Sequence, residues 1–378
     1  MIPGRSVRRV KNKSSITMNK IKVMHIQFWN DVCLLQGSVD TVISSFAKLS
    51  DFGVDICIGS RGKRCNAEIN GAPVYYFYED RFKNKVLNKI LGLKVYTYSE
   101  LTKLVNNLRP DILHFHNRHE FADAIMPALR FSPRPKVVCH YHRRFDYYKI
   151  PKAANLLIAV SSALLADMIA ARSPAVPIEI LHNPIDIPQD RSEKEVLGSQ
   201  SKPRLLYGGG YQQIKGFFEL ESVLRTEIAN LYEIILCGPN FSNYVPDFPA
   251  TVLGKLSSID FQHQLKIADV VVVPSHFEGF GLVAAEAMAL GKLVIGTRGG
   301  GLADILDESN SIIHQVKNKE DLERALKEAL VVLKPEEKAR FDRIRLEARK
   351  TIEEFSPEII NAKLLGFYEN LLGHSRRL

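Results

Sequence analysis

The chain has 378 residues, of which 46% are apolar and 25% charged, a balance typical of a globular protein with room for two domains. No apolar run approaches the roughly 20 residues that a membrane span needs. The five cysteines form no Cys-x-x-Cys pair, so their pattern indicates neither a disulfide framework nor a zinc site. Such cysteine usage is typical of the reducing cytoplasm, where we expect the protein to be.

Positive charge is concentrated in the first half of the chain. The net charge is +9, but residues 1–185 contain 27 Lys and Arg against 14 Asp and Glu, whereas the remainder contains 24 against 28. The first half is therefore expected to meet an anionic partner. Residues 1–19 are basic and lack an apolar core, so we expect a disordered arm or an upstream start before Met18, and not a secretory signal.

The sequence pattern of the first half predicts strands that alternate with helices, which is typical of an α/β protein. Predicted strands cover residues 20–28, 54–58, 74–78, 110–117, 136–141, 155–161 and 178–185, and a helix covers 38–49 after a loop at 29–37. The polar stretch that follows, 186–203, predicts a linker to a second domain.

Residues 81–94 form a basic, periodic segment. Its apolar residues fall on one helical face and its lysines elsewhere: Phe82, Val86, Ile90 and Leu93 against Lys83, Lys85, Lys89 and Lys94. One interpretation is docking on an anionic membrane surface. The other is an ordinary amphipathic helix packed on its own core.

Histidines mark the ends of two predicted strands. His114 and His116 share a face with Ile112, and His140 ends the next strand, followed by His142. Because ligands bind at strand ends in open α/β sheets, these positions favour a binding site. A His-x-His pair also suggests a metal, but no third ligand stands at a convincing spacing.

Two Gly-rich turns in the second half predict anion-binding sites. The first, Gly208–Gly210, follows a strand at 204–207 and precedes Lys215, which opens a helix. The second contains Gly279 and Gly281, between a strand at 270–273 and a helix at 282–290 whose free N–H groups suit a phosphate.

Two glutamates bracket the second turn. Glu278 precedes the glycines, and Glu286 lies one turn into the helix among apolar residues. A carboxylate in that setting needs hydroxyl or N–H partners, and a sugar ring supplies several.

The segment 278–286, EGFGLVAAE, resembles the paired-glutamate signature of retaining GT-B glycosyltransferases of family 4. The flanking IADVVVVPS and GKLVIGTRGGGLADIL also resemble that family. The resemblance implies an α/β GT-B fold, in which two Rossmann-like doubly wound domains face each other across a cleft. It places the acceptor domain at 20–185, the nucleotide-sugar domain at 186–355, and a last helix, within 356–378, that crosses back to the first domain.

The resemblance also implies roles for single residues. Glu278 would bond hydroxyls of the donor sugar, Glu286 the ribose, and Lys215 the diphosphate, with His116 beside the sugar. The catalytic residues implied are His116, Lys215 and Glu278. The donor-binding residues implied are Gly37, His140, Gly209, Gly210, Lys215, Gly279, Phe280, Gly281, Leu282 and Glu286.

The chain departs from the family pattern in two places. Many members have two adjacent glycines where this chain has Gly37 followed by Ser38. Members usually also have an arginine that grips the diphosphate, whereas Gly209 or Gly210 stands at that position here. We expect that backbone N–H groups substitute, that another cation such as Arg298 reaches in, or that activity is weakened.

The sequence therefore predicts retaining transfer of a sugar from a nucleoside diphosphate sugar to a lipopolysaccharide core or another glycan or glycolipid acceptor. We expect no cofactor and no metal, because no Asp-x-Asp arrangement is present, and peripheral contact with the inner face of the cytoplasmic membrane. Alternatives are a catalytically inactive GT-B partner or sugar-binding subunit, and a GT-B epimerase or phosphorylase. No nucleic-acid recognition motif appears.

Overall fold

The structure is a computed structural model of the chain, and it describes residues 20–28, 38–52, 54–61, 68–77, 89, 99–144, 150–171, 176–188 and 202–373. Several sequence-based predictions lie outside these residues: the arm at 1–19, the loop at 29–37 with Gly37, the segment 81–94 apart from Lys89, and most of the linker.

The first half of the chain forms a parallel sheet with one antiparallel edge strand. Its order is β3-β4-β2-β1-β5-β6-β7-β8, and β3 alone among the described strands pairs antiparallel. The strands are β1 (Lys22–Gln27), β2 (Asp55–Arg61), β3 (Glu68–Ile69), β4 (Ala72–Phe77), β5 (Ile112–His116), β6 (Lys136–Tyr141), β7 (Leu156–Ala159) and β8 (Ile178–Ile180).

The second half forms a separate sheet of parallel strands, in the order β11-β10-β9-β12-β13-β14. The strands are β9 (Arg204–Tyr207), β10 (Glu233–Cys237), β11 (Thr251–Gly254), β12 (Val270–Val273), β13 (Leu293–Gly296) and β14 (Ile312–Ile313). Two parallel α/β sheets confirm the predicted fold class.

Helices connect the strands and cover the sheets. They are α1 (Ser38–Ala47), α2 (Ser99–Leu108), α3 (Phe121–Ile125), α4 (Ser162–Ala171), α5 (Phe217–Leu224), α6 (Ser258–Ile267), α7 (Leu282–Ala289), α8 (Lys319–Val332), α9 (Lys338–Glu353) and α10 (Pro357–Leu372). Short 3-10 turns include Gln213–Lys215 and Gly301–Asp304. None of the described helices combines the length and the apolar character that a membrane crossing requires.

The strand β12 shows how the second sheet is buried on both faces. All four valines are buried, as expected for a parallel strand covered on both sides. Val271 and Val273 belong to a core that also contains Ala284 and Ala287 of α7, whereas Val270 and Val272 face a second core on the other side of the sheet. The small alanines let α7 lie close to the strand.

The last helix returns to the first sheet, as predicted. In α10, the side-chain amide of Asn361 donates to the carbonyl of Ser45 (3.3 Å), and the hydroxyl of Tyr368 lies 2.6 Å from Nδ1 of His114. Both α10 side chains are almost fully buried. The chain's final helix is therefore part of the first domain's core.

The register of the first sheet collects polar side chains at its carboxyl edge. Gln27 of β1 is aligned with His116 of β5, which is aligned with His140 of β6. Because parallel strands end at one edge, these residues lie side by side beneath the space between the two sheets.

Candidate active site

A cleft of about 420 Å³ lies between the two halves of the chain. Its lining contains residues of the first half at one wall and the Gly-rich turns of the second half at the other: His142, Asn183, Tyr207, Gly208, Gly209, Gln212, Lys215, Pro239, Val272, Val273, Ser275, Glu278, Gly279, Phe280, Gly281, Leu282 and Val283. Most residues predicted from the two Gly-rich turns therefore meet in one space.

An ion pair joins the two turns inside the cleft. The ammonium of Lys215 donates to both carboxylate oxygens of Glu278, each at 2.7 Å, and the hydroxyl of Ser275 donates to the same carboxylate at 2.9 Å. The Lys215 side chain is 29% exposed and that of Glu278 is 17% exposed. Both charges are thus accessible to a ligand that enters the cleft.

The helix α7 begins at the cleft. Its N-cap residue is Gly281, in the left-handed region at φ 110°. Because glycine has no side chain, no side-chain oxygen caps the helix. The first N–H groups of α7 are therefore open to an anion, and Leu282 and Val283 line the cavity.

Tyr207 and Pro239 crowd the two glycines at which the resemblance leads one to expect an arginine. Its hydroxyl donates to the carbonyl of Gly210 (2.9 Å), and a Cβ at Gly209 would overlap with the Tyr207 ring. A side chain at Gly210 would collide with the carbonyl oxygen of Pro239, at a backbone φ of 73°. A side chain at either glycine would therefore clash with Tyr207 or Pro239 unless the neighbouring atoms moved.

Arg298, the cation suggested as a substitute, does not line the cleft. It is exposed. It lies near Asp307, whose pKa is raised by desolvation but lowered on balance, first by hydrogen bonds from Ser309 and Asn310 and then by the charge of Arg298. Within the described part of the chain, Lys215 is the only Lys or Arg on the cavity lining.

Glu286 lies behind the cleft lining. The side-chain amide of Gln262 donates to its carboxylate at 2.8 Å. Burial raises the pKa of Glu286 from an ordinary value of 4.5 to about 7, and the Gln262 hydrogen bond opposes part of that rise. The carboxyl is therefore held close to its titration point at neutral pH.

His116 and His140 differ from the expectation that they face the donor. Both are fully buried, and neither lines the cleft. The two ring nitrogens of His116 are in hydrogen-bonding contact with His25 and His142, each at 2.9 Å. The structure places His142, one step beyond the strand, at the cleft wall instead.

The reason is that helices cover the face on which these histidines lie. The ring of Phe46 in α1 is 6.2 Å from that of His116 and 6.0 Å from that of His140. Burial lowers the pKa of both histidines well below the usual value and that of His142 to about 3. All three imidazoles are consequently neutral at pH 7.

Several cleft residues were missed by sequence reasoning. Tyr207 ends β9, and strand-end position was the signal that could have identified it. Ser275 lies three residues before Glu278, within the recognised segment, and Asn183 follows β8. Gln262 carries no local signal, because its contact with Glu286 joins two different helices.

The fold is shared with solved glycosyltransferase structures. A sucrose-phosphate synthase from Thermosynechococcus elongatus superposes with a TM-score of 0.71 at 16% identity, over 94% of this chain and all of that one. The Anabaena protein HepE, in complex with UDP-glucose, superposes with a TM-score of 0.70 at 18% identity, over 93% of this chain and all of that one. The two sheets and the shared cleft therefore define a GT-B fold.

Sequence comparison gives the family. The model described as Glycosyltransferase Family 4 matches residues 41–189, and that described as Glycosyl transferases group 1 matches residues 250–343. The chain belongs to the GT-B glycosyltransferases of family 4 type.

Two curated relatives are similar over longer stretches. The lipopolysaccharide 1,2-N-acetylglucosaminetransferase of Salmonella typhimurium is 26% identical over 300 residues, which are 71% of this chain and 77% of that protein. A sulfoquinovosyl transferase of Arabidopsis thaliana is 26% identical over 235 residues, which are 54% of this chain and 46% of that protein.

The raised pKa of Glu286 predicts a pH-dependent gain of stability in Glu286→Gln. The folded-state pKa of about 7 exceeds the ordinary 4.5, so ionisation of Glu286 lowers the free energy of unfolding. Wild type therefore has its full free energy of unfolding below pH 4.5 and loses part of it as pH rises through 7. A glutamine at this position does not ionise and should not lose stability in this way. We expect Glu286→Gln to be more stable than wild type by about 1 to 2 kcal/mol at pH 8, and equal to it near pH 4.

Urea unfolding at several pH values measures this difference. Glu308→Gln, at an exposed position, is the control and should track wild type throughout. A Glu286→Gln difference that stays constant from pH 4 to pH 8 would contradict the assignment.

Proposed function

We propose that this glycosyltransferase moves a sugar from a nucleoside diphosphate sugar to a lipopolysaccharide core or another surface-glycan acceptor, with retention at the anomeric carbon. The observation that supports this most directly is the meeting of Lys215, Glu278 and the open start of α7 in one cleft. A cation and a helix N-terminus suit a diphosphate, and a carboxylate suits sugar hydroxyls.

The arrangement suits a reaction with an anionic leaving group. As the bond to the sugar breaks, charge builds on the diphosphate oxygens, where Lys215 and the first N–H groups of α7 would stabilise it. The sugar becomes oxocarbenium-like, and Glu278 would hold its hydroxyls as it distorts. The donor would thus replace the Lys215–Glu278 ion pair with contacts of its own.

Retention is supported by the lack of a free base at the cleft wall. Among the described cavity residues, Glu278 is the only carboxylate, and it is engaged by Lys215 and Ser275. His142 is a poor general base at neutral pH because burial lowers its pKa to about 3. The proton of the acceptor would instead pass to the leaving phosphate on the same face of the sugar.

We propose that transfer needs no divalent metal on the diphosphate. Magnesium is usually held by one or two carboxylates together with substrate phosphates. Glu278 is occupied by a lysine, so the cation at this place is the ammonium of Lys215.

The donor and acceptor are inferred from relatives and charge. One relative is named as a lipopolysaccharide N-acetylglucosaminetransferase, and a structural neighbour contains UDP-glucose, so UDP-sugars are the first donors to test. The excess of basic residues in 1–185 suits an anionic acceptor at a membrane surface.

The missing arginine favours a second candidate, a sugar-binding protein without catalysis. Tyr207 and Pro239 leave little room for a side chain at Gly209 or Gly210. The arginine that relatives usually place there beside the lysine is absent. Donor binding without hydrolysis or transfer would support this second candidate.

A thermal-shift screen against UDP, ADP, GDP and CDP sugars tests the proposal. A bound donor raises the apparent melting temperature according to its concentration and affinity. We expect a UDP-sugar to give a shift that persists in excess chelator. If no nucleotide sugar shifts the melting temperature, the proposed donor site is wrong.

Lys215→Ala is expected to reduce turnover by about a hundred- to a thousandfold, because no other Lys or Arg among the described residues lines the cleft. Donor hydrolysis and transfer should both be measured, with folding checked by circular dichroism. Lys215→Ala should also weaken binding of the nucleoside diphosphate alone.

Two matched variants separate the roles. Glu278→Gln should weaken binding of the nucleotide sugar and leave binding of the nucleoside diphosphate nearly unchanged, since its proposed partner is the sugar. Arg298→Ala should behave as wild type, because that side chain is exposed outside the cleft lining. If Lys215→Ala keeps most of its turnover, the leaving group is held elsewhere.

We further propose that residues 81–94 dock on anionic lipid. Of this segment, Lys89 is described, and it is exposed. Changing Lys83, Lys85 and Lys89 to Glu should abolish flotation with anionic vesicles, at roughly 1 kcal/mol per basic residue, and wild-type flotation should weaken with salt.

A variant with the same change of charge in the second half is the control. Lys317, Lys319 and Lys334 are exposed, and their change to Glu should leave flotation largely intact. Equal flotation of wild type on neutral and anionic vesicles would contradict docking through charge.

A further inference from the structure

Five histidines form a cluster between the first sheet and the helices α1 and α10, next to the cleft. They come from three neighbouring strands and the loop after β6: His25, His114, His116, His140 and His142. Neighbouring rings lie with centroids 4.1 to 5.4 Å apart, and His25, His114, His116 and His140 are fully buried. Buried polar ring nitrogens need hydrogen-bond or other partners, so packing alone does not explain five imidazoles in this place.

Two of these partners are missing. Among the described residues, no group forms a hydrogen bond with Nε2 of His140 or with Nδ1 of His142, although both nitrogens are buried. A buried, unpaired ring nitrogen costs free energy unless something else occupies its lone pair or accepts its proton.

We propose that His116, His140 and His142 bind a divalent transition-metal ion, Zn²⁺ in the first instance. One ring nitrogen from each lies within 4.8 Å of those of the other two. Zn–N bonds of about 2.0–2.1 Å in a tetrahedron put ligand nitrogens about 3.4 Å apart. Nδ1 of His116 and Nε2 of His142 are 2.9 Å apart, so a small opening of that pair would admit the ion.

The outer contacts of two of these histidines are those of metal ligands. Nδ1 of His140 lies 3.2 Å from Nε2 of His114, and Nε2 of His116 lies 2.9 Å from Nδ1 of His25. Ligating histidines almost always have their second nitrogen held in this way, which fixes the ring orientation.

The outer contacts converge on one tyrosine. The hydroxyl of Tyr368 lies 2.6 Å from His114 and 3.4 Å from His25. The two supporting histidines are therefore tied to α10, and of the three proposed ligands His142 reaches the cleft lining.

The ligand set suits a transition metal with one open position. Three neutral imidazoles favour Zn²⁺, Co²⁺, Ni²⁺ or Cu²⁺ over Mg²⁺ or Ca²⁺, which prefer oxygen. His142 lines the cleft, so the fourth position would be reached by water from that side.

A second triad, His25, His114 and His116, also has converging nitrogens. Both nitrogens of His114 already have partners in Tyr368 and His140, and the triad is fully buried. The orphan nitrogen of His140 and the access through His142 favour the triad next to the cleft.

Metal binding to the full-length protein, freed of any polyhistidine tag, tests the proposal. The apoprotein is titrated with Co²⁺ and Zn²⁺ at pH 7.5. We expect one equivalent of Co²⁺ with the visible absorption bands of a four-coordinate ion, displaced by one equivalent of Zn²⁺. The Zn²⁺ dissociation constant is measured by competition with a chromophoric chelator.

Variants identify the ligands. His142→Gln, at the partly exposed position, should remove the Co²⁺ bands, and His140→Gln should do the same if it folds. His25→Gln, at a supporting position, should weaken Zn²⁺ binding by about 10- to 100-fold. His263→Gln, on the surface, should keep wild-type affinity.

Three outcomes would overturn the proposal: no stoichiometric Co²⁺ binding by wild type, bands that survive in folded His142→Gln, or bands that depend on His25 and not on His142. The last would move the metal to the other triad. The assay uses no nucleotide sugar, so its result is independent of the proposed transfer.

Discussion

The close approach of two backbones, at Gly279 and His142, is the constraint on which the site depends. A Cβ at Gly279 would overlap with the carbonyl oxygen of His142, so only glycine lets the second-half turn come this near to the first sheet. The contact brings Glu278 and the start of α7 against the wall formed by the β6 end. Without it, the cleft would open to water, and the charges inside would be screened.

The charged groups of the cleft come from turns at one edge of the second sheet. Because β9 and β12 are neighbouring parallel strands, the turns that follow them lie at the same edge, which places Lys215 opposite Glu278. Tyr207, at the end of β9, packs against Gly209, near the position where the resemblance predicts a second cation. One lysine and a row of N–H groups is a weaker anion site than a lysine with an arginine fork, and it makes the leaving-group charge depend on a single side chain.

Local patterns predicted much of the second half and less of the first. The valine run 270–273 and the helix from Leu282 were predicted almost to the residue, because a buried strand, a Gly-rich turn and a small-residue helix are adjacent in sequence. His116 lies off the cleft lining for a physical reason. Strand alternation gives the face of a side chain, but whether that face opens to the cleft depends on Phe46 and Tyr368, which come from distant helices. Side-chain contacts across 254 residues leave no local signal.

The return of α10 decides which parts can move together. Tyr368 is bonded to histidines of the first sheet, so α10 belongs mechanically to the first half although it ends the chain. The chain passes between the two halves once after β8 and again before α10. At these two places the backbone N–H of Ile185 donates to the carbonyl of Phe355 at 2.8 Å, which holds the two segments side by side. Asp304 links the two halves through Ser162 and His182, at 2.7 and 3.0 Å, so a rotation of one sheet against the other would break these contacts. The contacts within the histidine cluster would be kept, because all of its members lie in the first half of the chain.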